Sequence, residues 1–191
     1  TTDEQFDTDT LTDTETYGSD AVRISTIIRE AFAAYAEGTT QVPRFKIWNG
    51  TAWGTEGSCV TTGNVIRFVE AAPAPTRDEY AVATINASAD ADVQIYNGTT
   101  DTFGNIAEID DTISDILSHG IDIAYESDSG DLMAVSCDGT EAVYRVWNGT
   151  SWSATSSISL VITGNCEWIR LASDPSTDEI VMVVRNDITG G

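Results

Sequence analysis

The sequence predicts a mainly β protein, in which three tandem four-stranded antiparallel repeats follow one N-terminal α-helix. A hairpin motif that recurs at nearly constant spacing predicts the repeats, together with the strand-turn-strand pattern that follows each copy. A broad apolar stretch near the N-terminus predicts the helix. A β-sandwich built from the same strands is the alternative fold.

The repeated motif is an aromatic residue followed by Asn-Gly. It reads WNGTAW over residues 48–53, YNGT over 96–99 and WNGTSW over 147–152. Because Asn and Gly tolerate positive φ, an Asn-Gly pair between apolar runs favours a two-residue type I′ turn. With that pair at the tip, Trp48 opposes Thr51, and the two tryptophans of a copy share one face of the sheet.

Each motif belongs to a predicted unit of four short strands. The three units span about 42–90, 91–140 and 141–191. After the hairpin, the first and third units continue Val-Ile-Arg-Phe and Trp-Ile-Arg-Leu, which matches Arg67 with Arg170. Apolar side chains fall on both faces of the hairpins, so we expect each sheet to be covered on both sides.

These repeats resemble the blades of a β-propeller. A four-stranded unit of about 50 residues is similar to a kelch-type blade, and the WNGTxW hairpin resembles the Asp-box turn of sialidase-type propellers. The resemblance covers about residues 42–191 and implies blade-like or stacked sheets. Three units are fewer than the roughly four to eight blades of a closed propeller. Either the sheets stack openly, or other chains complete the ring, or the chain is part of a longer protein.

Sialidase-like propellers use a cluster of arginines in catalysis. Here Arg67 and Arg170 match each other across repeats, and residues at equivalent positions of a repeat usually serve the structure. The resemblance therefore assigns neither arginine a catalytic role.

Two N-terminal segments precede the repeats. Residues 1–18 consist largely of Thr, Asp and Glu, and their period-two alternation is compatible with an extended arm that adds a strand to a sheet edge. Residues 19–38 are predicted to form an amphipathic helix, capped by Ser19 or Asp20 and ended by Gly38. Because its apolar residues cover more than half of its circumference, it packs either on the sheets of its own chain or between subunits.

The chain is strongly acidic, with 31 Asp and Glu against 9 Lys and Arg and a net charge of -22. Such a surface repels phosphate backbones and anionic lipid, which argues against nucleic-acid binding. No apolar run of about 20 residues occurs, so no membrane insertion is predicted. The charge either provides solubility or binds cations. The candidate calcium ligands, all in predicted turns, are Asp128, Asp131, Asp174 and Asp178.

No catalytic residue is predicted, and no cofactor or metal apart from the candidate calcium. Cys59, Cys137 and Cys166 form no CxxC pair, and with His119 as the single histidine they do not predict a zinc site. The cysteines form either one disulfide and a spare thiol or three buried thiols. No motif places a nucleophile or an orienting acid beside His119, which favours a structural role over that of a general base.

Four Asn-x-Ser/Thr sequons are candidate glycosylation sites in a secreted chain: Asn49, Asn86, Asn97 and Asn148. Three of them coincide with the repeated hairpin tip, where we expect an exposed position whether or not a glycan is attached. They are compatible with an extracellular or cell-surface location.

Repeated sheets without catalytic motifs predict a non-enzymatic structural protein. The expected role is that of a subunit of an extracellular filament, pilus-like fibre or surface layer, in which the N-terminal arm and helix contact the neighbouring subunit. The alternative is a carbohydrate-binding module, in which sugars stack on Trp48, Trp53, Trp147 and Trp152 unless these belong to the core. A fragment of a glycosidase-like propeller is a third hypothesis, which lacks supporting motifs.

Overall fold

A computed structural model of the chain describes residues 21–24 and 31–187. These residues form fourteen strands in four antiparallel sheets, named A to D here. They contain no helix, and accordingly none that could cross a membrane. The mainly β fold class is therefore confirmed, whereas the predicted count of three repeats is wrong, because the strands form four sheets.

Each of the first three sheets contains four consecutive strands. Sheet A contains β1 (Ala21–Ile24), β2 (Ala31–Tyr35), β3 (Arg44–Trp48) and β4 (Gly57–Ser58). Sheet B contains β5 (Ile66–Pro73), β6 (Glu79–Asn86), β7 (Ala91–Asn97) and β8 (Thr102–Asp110). Sheet C contains β9 (Ile121–Tyr125), β10 (Leu132–Asp138), β11 (Glu141–Trp147) and β12 (Ser156–Ser159). Sheet D consists, within the described residues, of β13 (Cys166–Ser173) and β14 (Ile180–Asn186).

The structural repeat begins two strands earlier than the predicted one. The motif at residues 48–53 joins the third strand of sheet A to its fourth, and the motif at 147–152 does the same in sheet C. The predicted unit 42–90 therefore contains the second half of sheet A and the first half of sheet B. An Asn-Gly hairpin is a strong local signal that two strands pair, but it does not indicate which strands continue the sheet on either side.

The predicted helix over residues 19–38 is wrong where the structure describes it. Ala21–Ile24 and Ala31–Tyr35 are strands that pair with each other, and the second of them also pairs with β3. Residues 31–34 are buried in succession, which places buried side chains on both faces of the strand. A strand buried on both faces shows a continuous apolar run, which periodicity does not distinguish from a buried helix. The predicted arm over residues 1–18 lies outside the described residues.

The tryptophan hairpins have a wider tip than predicted. Trp48 pairs with Trp53 rather than with Thr51, and Trp147 pairs with Trp152. In both hairpins the Asn side-chain oxygen accepts the backbone N–H groups two and three residues further on, and the Gly alone has positive φ. Because the Asn side chain closes the turn, the tip takes four residues instead of two.

The first strands of the four sheets are neighbours around a common axis. β5 contacts β1 on one side and β9 on the other, and β9 contacts β13. In addition, Arg170 Nη1 of β13 lies 2.7 Å from Glu70 Oε1 of β5, so sheet D touches sheet B. Sheets that pack face to face lie about 10 Å apart. In a flat stack with sheet C between them, sheets B and D would therefore be about 20 Å apart and could not touch. The four sheets therefore fan out from the axis.

Apolar side chains fill the three spaces between neighbouring sheets of this fan. Between sheets A and B, ring centroids 4.6–6.4 Å apart define an aromatic cluster of Phe32, Phe45, Tyr80, Tyr96 and Phe103. Between sheets C and D, a disulfide joins Cys137 to Cys166. Cys59 is a buried free thiol, and burial raises its pKa. The cysteines thus adopt the arrangement of one disulfide and a spare thiol.

Candidate functional site

The interface between sheets B and C shows how two neighbouring sheets fit together. Trp147 is 2% exposed, and its indole Nε1 donates to Glu79 Oε1 of sheet B at 3.1 Å. Trp152 lies against it, with ring centroids 5.6 Å apart, and donates its Nε1 to the Asn105 carbonyl of β8 at 2.6 Å. Both tryptophans pack sheet C onto sheet B. Trp147 is too deeply buried to stack on a sugar.

Glu79 lies at the centre of this interface. It is 8% exposed, and its Oε1 accepts hydrogen bonds from Trp147, from the Tyr125 hydroxyl at 2.9 Å and from Arg77 Nη2 at 3.1 Å. A buried carboxylate is tolerated when it is hydrogen-bonded and paired with a cation, which is Arg77 here. Burial, followed by the neighbouring carboxylate, raises the pKa of Tyr125 and keeps its hydroxyl protonated as a donor.

Sheet A turns its own tryptophan hairpin away from sheet B. Phe45 and Ile47 of β3 pack against sheet B, so alternation along the strand directs Lys46 and Trp48 to the other face. Of the described sheets, sheet B packs on the opposite face of sheet A. Ala31 and Ala33 of β2 lie on this second face and are 7% and 4% exposed, so the face is covered along β2. We call the surface formed by Arg44, Lys46, Trp48 and Trp53 the tryptophan end face.

The tryptophan end face repeats the local geometry of the hairpin in sheet C. Trp48 and Trp53 have ring centroids 5.6 Å apart, the same distance as in sheet C, yet Trp48 is only half-buried. A Cβ on Gly149 would lie 2.9 Å from Arg77 of sheet B, whereas a Cβ on Gly50 would meet nothing within 4 Å. The hairpin is thus formed in both sheets, and in sheet C it rests against sheet B.

Sheet D leaves the opposite end of the fan uncovered. Met182 and Val184 pack against sheet C, so alternation along β14 directs Val181 and Val183 outward. These two valines are 61% and 55% exposed, and Glu179 just before the strand is exposed as well. We call Glu179, Val181 and Val183 the valine end face. The fan therefore ends in two different surfaces.

Four ionisable side chains meet on the axis. Glu70 Oε1 lies 2.6 Å from His119 Nε2 and 2.7 Å from Arg170 Nη1, and Arg170 Nη1 lies 3.7 Å from Asp122 Oδ1. Burial acts to raise the pKa of Glu70, but hydrogen bonds from His119 and Arg170 outweigh it and hold the pKa below its usual range. Burial raises the pKa of Asp122. Because the residues come from β5, β9, β13 and the loop before β9, this axial cluster links three sheets.

His119 lies between sheets in the manner of a structural residue. Its ring packs edge-on against Phe68, with centroids 5.3 Å apart, while Nε2 faces Glu70. The buried Nδ1 has no hydrogen-bond partner among the described residues. No hydroxyl or thiol in this part of the chain bonds to His119, so the geometry provides no nucleophile for it to activate.

Arg67 and Arg170 do not occupy equivalent positions, contrary to the sequence match. The strand pairings of sheets B and D coincide when 100 is added to each residue number, so Arg170 corresponds to Glu70. Arg67 corresponds to Glu167, and both lie where the register shifts at a bulge. Matching the shared Ile-Arg dipeptide shifts β13 by three residues relative to β5, compared with the alignment that the strand pairings give.

A cavity of about 600 Å³ opens where β5, β9 and β13 end. No charged side chain lines it. Two of its hydroxyl groups are already used, because Ser127 donates to the Asp174 carbonyl and Ser173 to the Tyr125 carbonyl. The cavity thus offers mainly apolar and backbone surface and no group that would orient a polar substrate.

The candidate calcium ligands lie in two neighbouring turns, and the carboxylates of Asp174 and Asp178 accept hydrogen bonds there. Asp178 Oδ1 accepts the backbone N–H groups of Asp128 and Ser129 at 3.1 and 2.8 Å, and Asp174 Oδ1 accepts that of Ser176 at 2.8 Å. In the part of the chain that the structure describes, no three His, Cys, Asp or Glu side chains are grouped so as to hold a metal ion. This geometry gives the candidate calcium no support.

Three of the four candidate glycosylation sites are exposed at hairpin tips: Asn49, Asn97 and Asn148. Asn86 is 0% exposed, its Nδ2 donates to the Thr62 carbonyl at 2.8 Å and its Oδ1 accepts the Ser88 N–H. A glycan on that nitrogen would have to displace the buried hydrogen bonds of Asn86.

Comparison with known proteins assigns no function: no family model matches this sequence, and no curated protein matches it. The functional argument therefore rests on the geometry of the chain itself.

Proposed function

We propose that this chain is a non-enzymatic structural subunit that associates head to tail with further copies of itself. The product is an extracellular filament, pilus-like fibre or surface layer. One observation carries the proposal: the β5–β6 pair that receives Trp147 recurs as β13–β14, whose outward valines are exposed, and the tryptophan hairpin of sheet C recurs in sheet A. A contact between two different surfaces of identical subunits is heterologous, and such contacts generate open polymers unless the rotation closes a ring.

The arrangement of the sheets supports the proposal. Four-stranded antiparallel sheets that fan out from an axis, with their first strands innermost, have the character of propeller blades. Blades of a propeller are covered on both faces by their neighbours. In this chain the outward valines of sheet D are exposed, and burying a valine side chain there contributes about 1.5–3 kcal/mol. Association with a further copy would supply the missing neighbour.

The role of the N-terminus changes with the structure. The sequence placed an amphipathic helix at the subunit contact, but residues 21–24 and 31–35 belong to sheet A. In the present proposal, sheet A contacts the neighbouring subunit in place of the helix. The Thr- and Asp-rich segment 1–18 remains a candidate for strand addition to a neighbouring copy.

Three features favour an extracellular setting for this assembly. The Cys137–Cys166 disulfide is the kind of bond that persists in oxidising compartments. Three sequons are exposed at hairpin tips. A net charge of -22 keeps subunits soluble before assembly, and salt outside the cell screens their repulsion.

The test is electron microscopy of the purified full chain together with its mass in solution. Samples at 0.1 and 0.5 M NaCl separate the contact itself from charge repulsion. We expect ordered polymers or a ladder of masses that grows with protein concentration. A monodisperse monomer at every salt and protein concentration would overturn the proposal. Closed rings of fixed size would overturn the filament and leave the head-to-tail contact.

Carbohydrate binding is the second candidate function, and the half-buried Trp48–Trp53 pair favours it. Aromatic rings on an accessible surface stack on sugars. If this is the function, glycan-array binding by the wild-type chain will be lost in Trp48→Ala and retained in Val183→Glu, which alters the other end face. Absence of binding to any glycan would remove this candidate.

A further inference from the structure

We propose that sheet D pairs with sheet D of a second copy through β14, so that two chains related by a two-fold axis share one antiparallel sheet. The axis passes between the two copies of Met182. Residues 180, 182 and 184 of one copy then exchange main-chain hydrogen bonds with residues 184, 182 and 180 of the other. This contact uses the edge of sheet D and not its face, so it is additional to the head-to-tail association proposed above.

The first support is the open edge of β14. Sheets A, B and C each have four strands, whereas sheet D has two within the described residues. β14 pairs with β13 on one side, and no described strand pairs with its other side. An open edge presents a row of unpaired N–H and C=O groups, to which a strand of another molecule can be added. A second copy would bring sheet D to the strand number of sheets A, B and C.

The pairing of β13 with β14 shows which backbone groups lie on that edge. Leu171 pairs with Met182, yet the Leu171 N–H leaves the sheet and donates to Asp122 Oδ2 at 2.6 Å. The pair is therefore a non-hydrogen-bonded one, and the two kinds of pair alternate along an antiparallel ladder. Residues 180, 182 and 184 consequently direct their N–H and C=O groups away from β13. A strand that pairs about Met182 meets these groups.

The outward side chains of β14 are complementary to themselves about Met182. Alternation places four exposed side chains on the outward face: Glu179, Val181, Val183 and Arg185. In a pair centred on Met182, Glu179 lies opposite Arg185 of the second copy. Val181 likewise lies opposite Val183 of the second copy. Opposite charges and β-branched side chains directly across a ladder stabilise it, and the two-fold axis makes each contact occur twice.

The neighbouring register does not have this match. A pair centred on Val183 would place Glu179 opposite Asp187 and Val181 opposite Arg185. Like charges directly opposite each other destabilise a ladder. The charges at the two ends of β14 therefore favour pairing about Met182.

The equivalent strand of sheet B lacks this complementarity. β6 corresponds to β14 when 100 is added to each residue number, and its second edge already pairs with β7. Paired with itself about Val82, β6 would place Glu79 opposite the apolar Ile85. The complementary arginine thus occurs in the strand whose edge is open and not in the strand whose edge is filled.

Exchange of the charges tests the register. Glu179→Arg places two arginines opposite each other at both ends of the pair, and Arg185→Glu places two glutamates there. Each variant alone should pair about 10- to 100-fold more weakly than the wild type, because two attractive contacts become repulsive. An equimolar mixture of the two variants should recover the wild-type affinity, since every arginine again faces a glutamate.

The measurement is sedimentation equilibrium at 0.1 M NaCl, at which screening leaves charge contacts at the interface detectable. Glu141→Arg is the matched control, because it makes the same change of charge as Glu179→Arg at an exposed position of sheet C. Mixed with Arg185→Glu, it should recover no affinity. Circular dichroism and unfolding midpoints establish that each variant is folded.

Cysteine pairs test the geometry at the valines. In a Cys59→Ala background, Val181→Cys in one copy and Val183→Cys in the other place two thiols directly opposite each other, at a separation that a disulfide spans. A mixture of the two variants should therefore form crosslinked pairs under mild oxidation, and each variant alone should form few. The valines are 61% and 55% exposed, so these changes leave the core intact. A crosslink in Val183→Cys alone would overturn the register about Met182.

The results separate this contact from head-to-tail association. Dimers that do not grow, with the crosslink formed in the mixture, support the edge contact and overturn the filament. Polymers that crosslink in the mixture support both contacts. Polymers that form equally well in Arg185→Glu, without the crosslink, overturn the edge contact and leave the filament. A wild-type chain that stays monomeric overturns both, and protection of the residue 180, 182 and 184 amides from hydrogen exchange would then show that another part of the chain fills the edge.

Discussion

Sheets B and D share one strand register but have opposite environments. Ala81 and Ala83 of sheet B are 0% exposed, while Val181 and Val183 at the same positions of sheet D are 61% and 55% exposed. The more apolar pair is thus the more exposed one. The difference arises because sheet C covers sheet B, whereas no described sheet covers this face of sheet D.

This contrast shows that a side chain on a strand is buried by the neighbouring sheet and not by the apolar character of its own strand. A sequence can predict that a face is apolar and needs a cover. It does not predict whether the cover is another part of the chain or another molecule. The exposed valines of sheet D are therefore where we propose that a partner docks. Three changes test the contrast between covered and uncovered sheets, with effects that decrease from one to the next.

The largest expected effect comes from truncating the covered tryptophan. Trp147→Ala should lower the free energy of unfolding by about 3–5 kcal/mol, because it leaves a large cavity and removes a donor from the buried Glu79. Trp48→Ala should cost about 1–2 kcal/mol, since its ring is only half-buried. The measurement is urea unfolding at a concentration at which sedimentation shows a monomer. Equal costs for the two variants would show that the ends of the fan are packed as tightly as its interior.

The sequence predicted the elements that depend on neighbours along the chain. The hairpins, the repeat spacing and the shared face of each tryptophan pair are local consequences of Asn-Gly turns and strand alternation. The helix prediction failed because β2 is buried on both faces, and the sheet boundaries failed because pairing beyond a hairpin is not local. The repeat match of Arg67 with Arg170 failed because a shared dipeptide carries less information than a strand register.

The functional residues were harder to predict than the fold. Glu79 at the B–C interface was missed, although the recurring Asp-Glu turn at residues 78–79 and 178–179 was a signal for it. Glu70 and Asp122 were missed because nothing in their local sequence indicates that they meet Arg170 and His119 across three sheets. Such contacts between residues up to 100 positions apart follow from the convergence of strands on the axis.

The second change removes the bond that ties the last sheet to the fan. Replacing Cys137 and Cys166 by Ser should lower the free energy of unfolding by about 3–4 kcal/mol, the loop-closure value for cysteines separated by 29 residues. Hydrogen exchange should show that sheet D loses protection before sheet B, because one of its faces is uncovered. Cys59→Ala, which touches no disulfide, is the control and should leave the order unchanged. Simultaneous loss of protection in both sheets would contradict the contrast between them.

The smallest effect comes from the axial cluster, in which sheet B contributes Glu70 and sheet D contributes Arg170 at equivalent strand positions. Glu70→Gln should lower the free energy of unfolding at pH 7 by about 1.5–3 kcal/mol, because the acceptor loses its charge. Folding lowers the pKa of Glu70, since hydrogen bonds from His119 and Arg170 outweigh its burial. Its contribution is therefore complete above the usual glutamate pKa of about 4.3 and is lost as the pH falls through the lower folded value.

Urea unfolding of the wild type and of Glu70→Gln from pH 7 to pH 2.5 measures this contribution. The two stability curves should run parallel above about pH 5 and converge as the pH falls below about 4. Glu167→Gln is the matched control, because Glu167 pairs with Arg185, whose side chain is 68% exposed. An exposed pair of this kind contributes less than about 1 kcal/mol. If Glu70→Gln and Glu167→Gln lower the free energy of unfolding equally, the axial cluster stabilises the fold no more than a surface ion pair does. The sheets would then be held together by apolar packing alone.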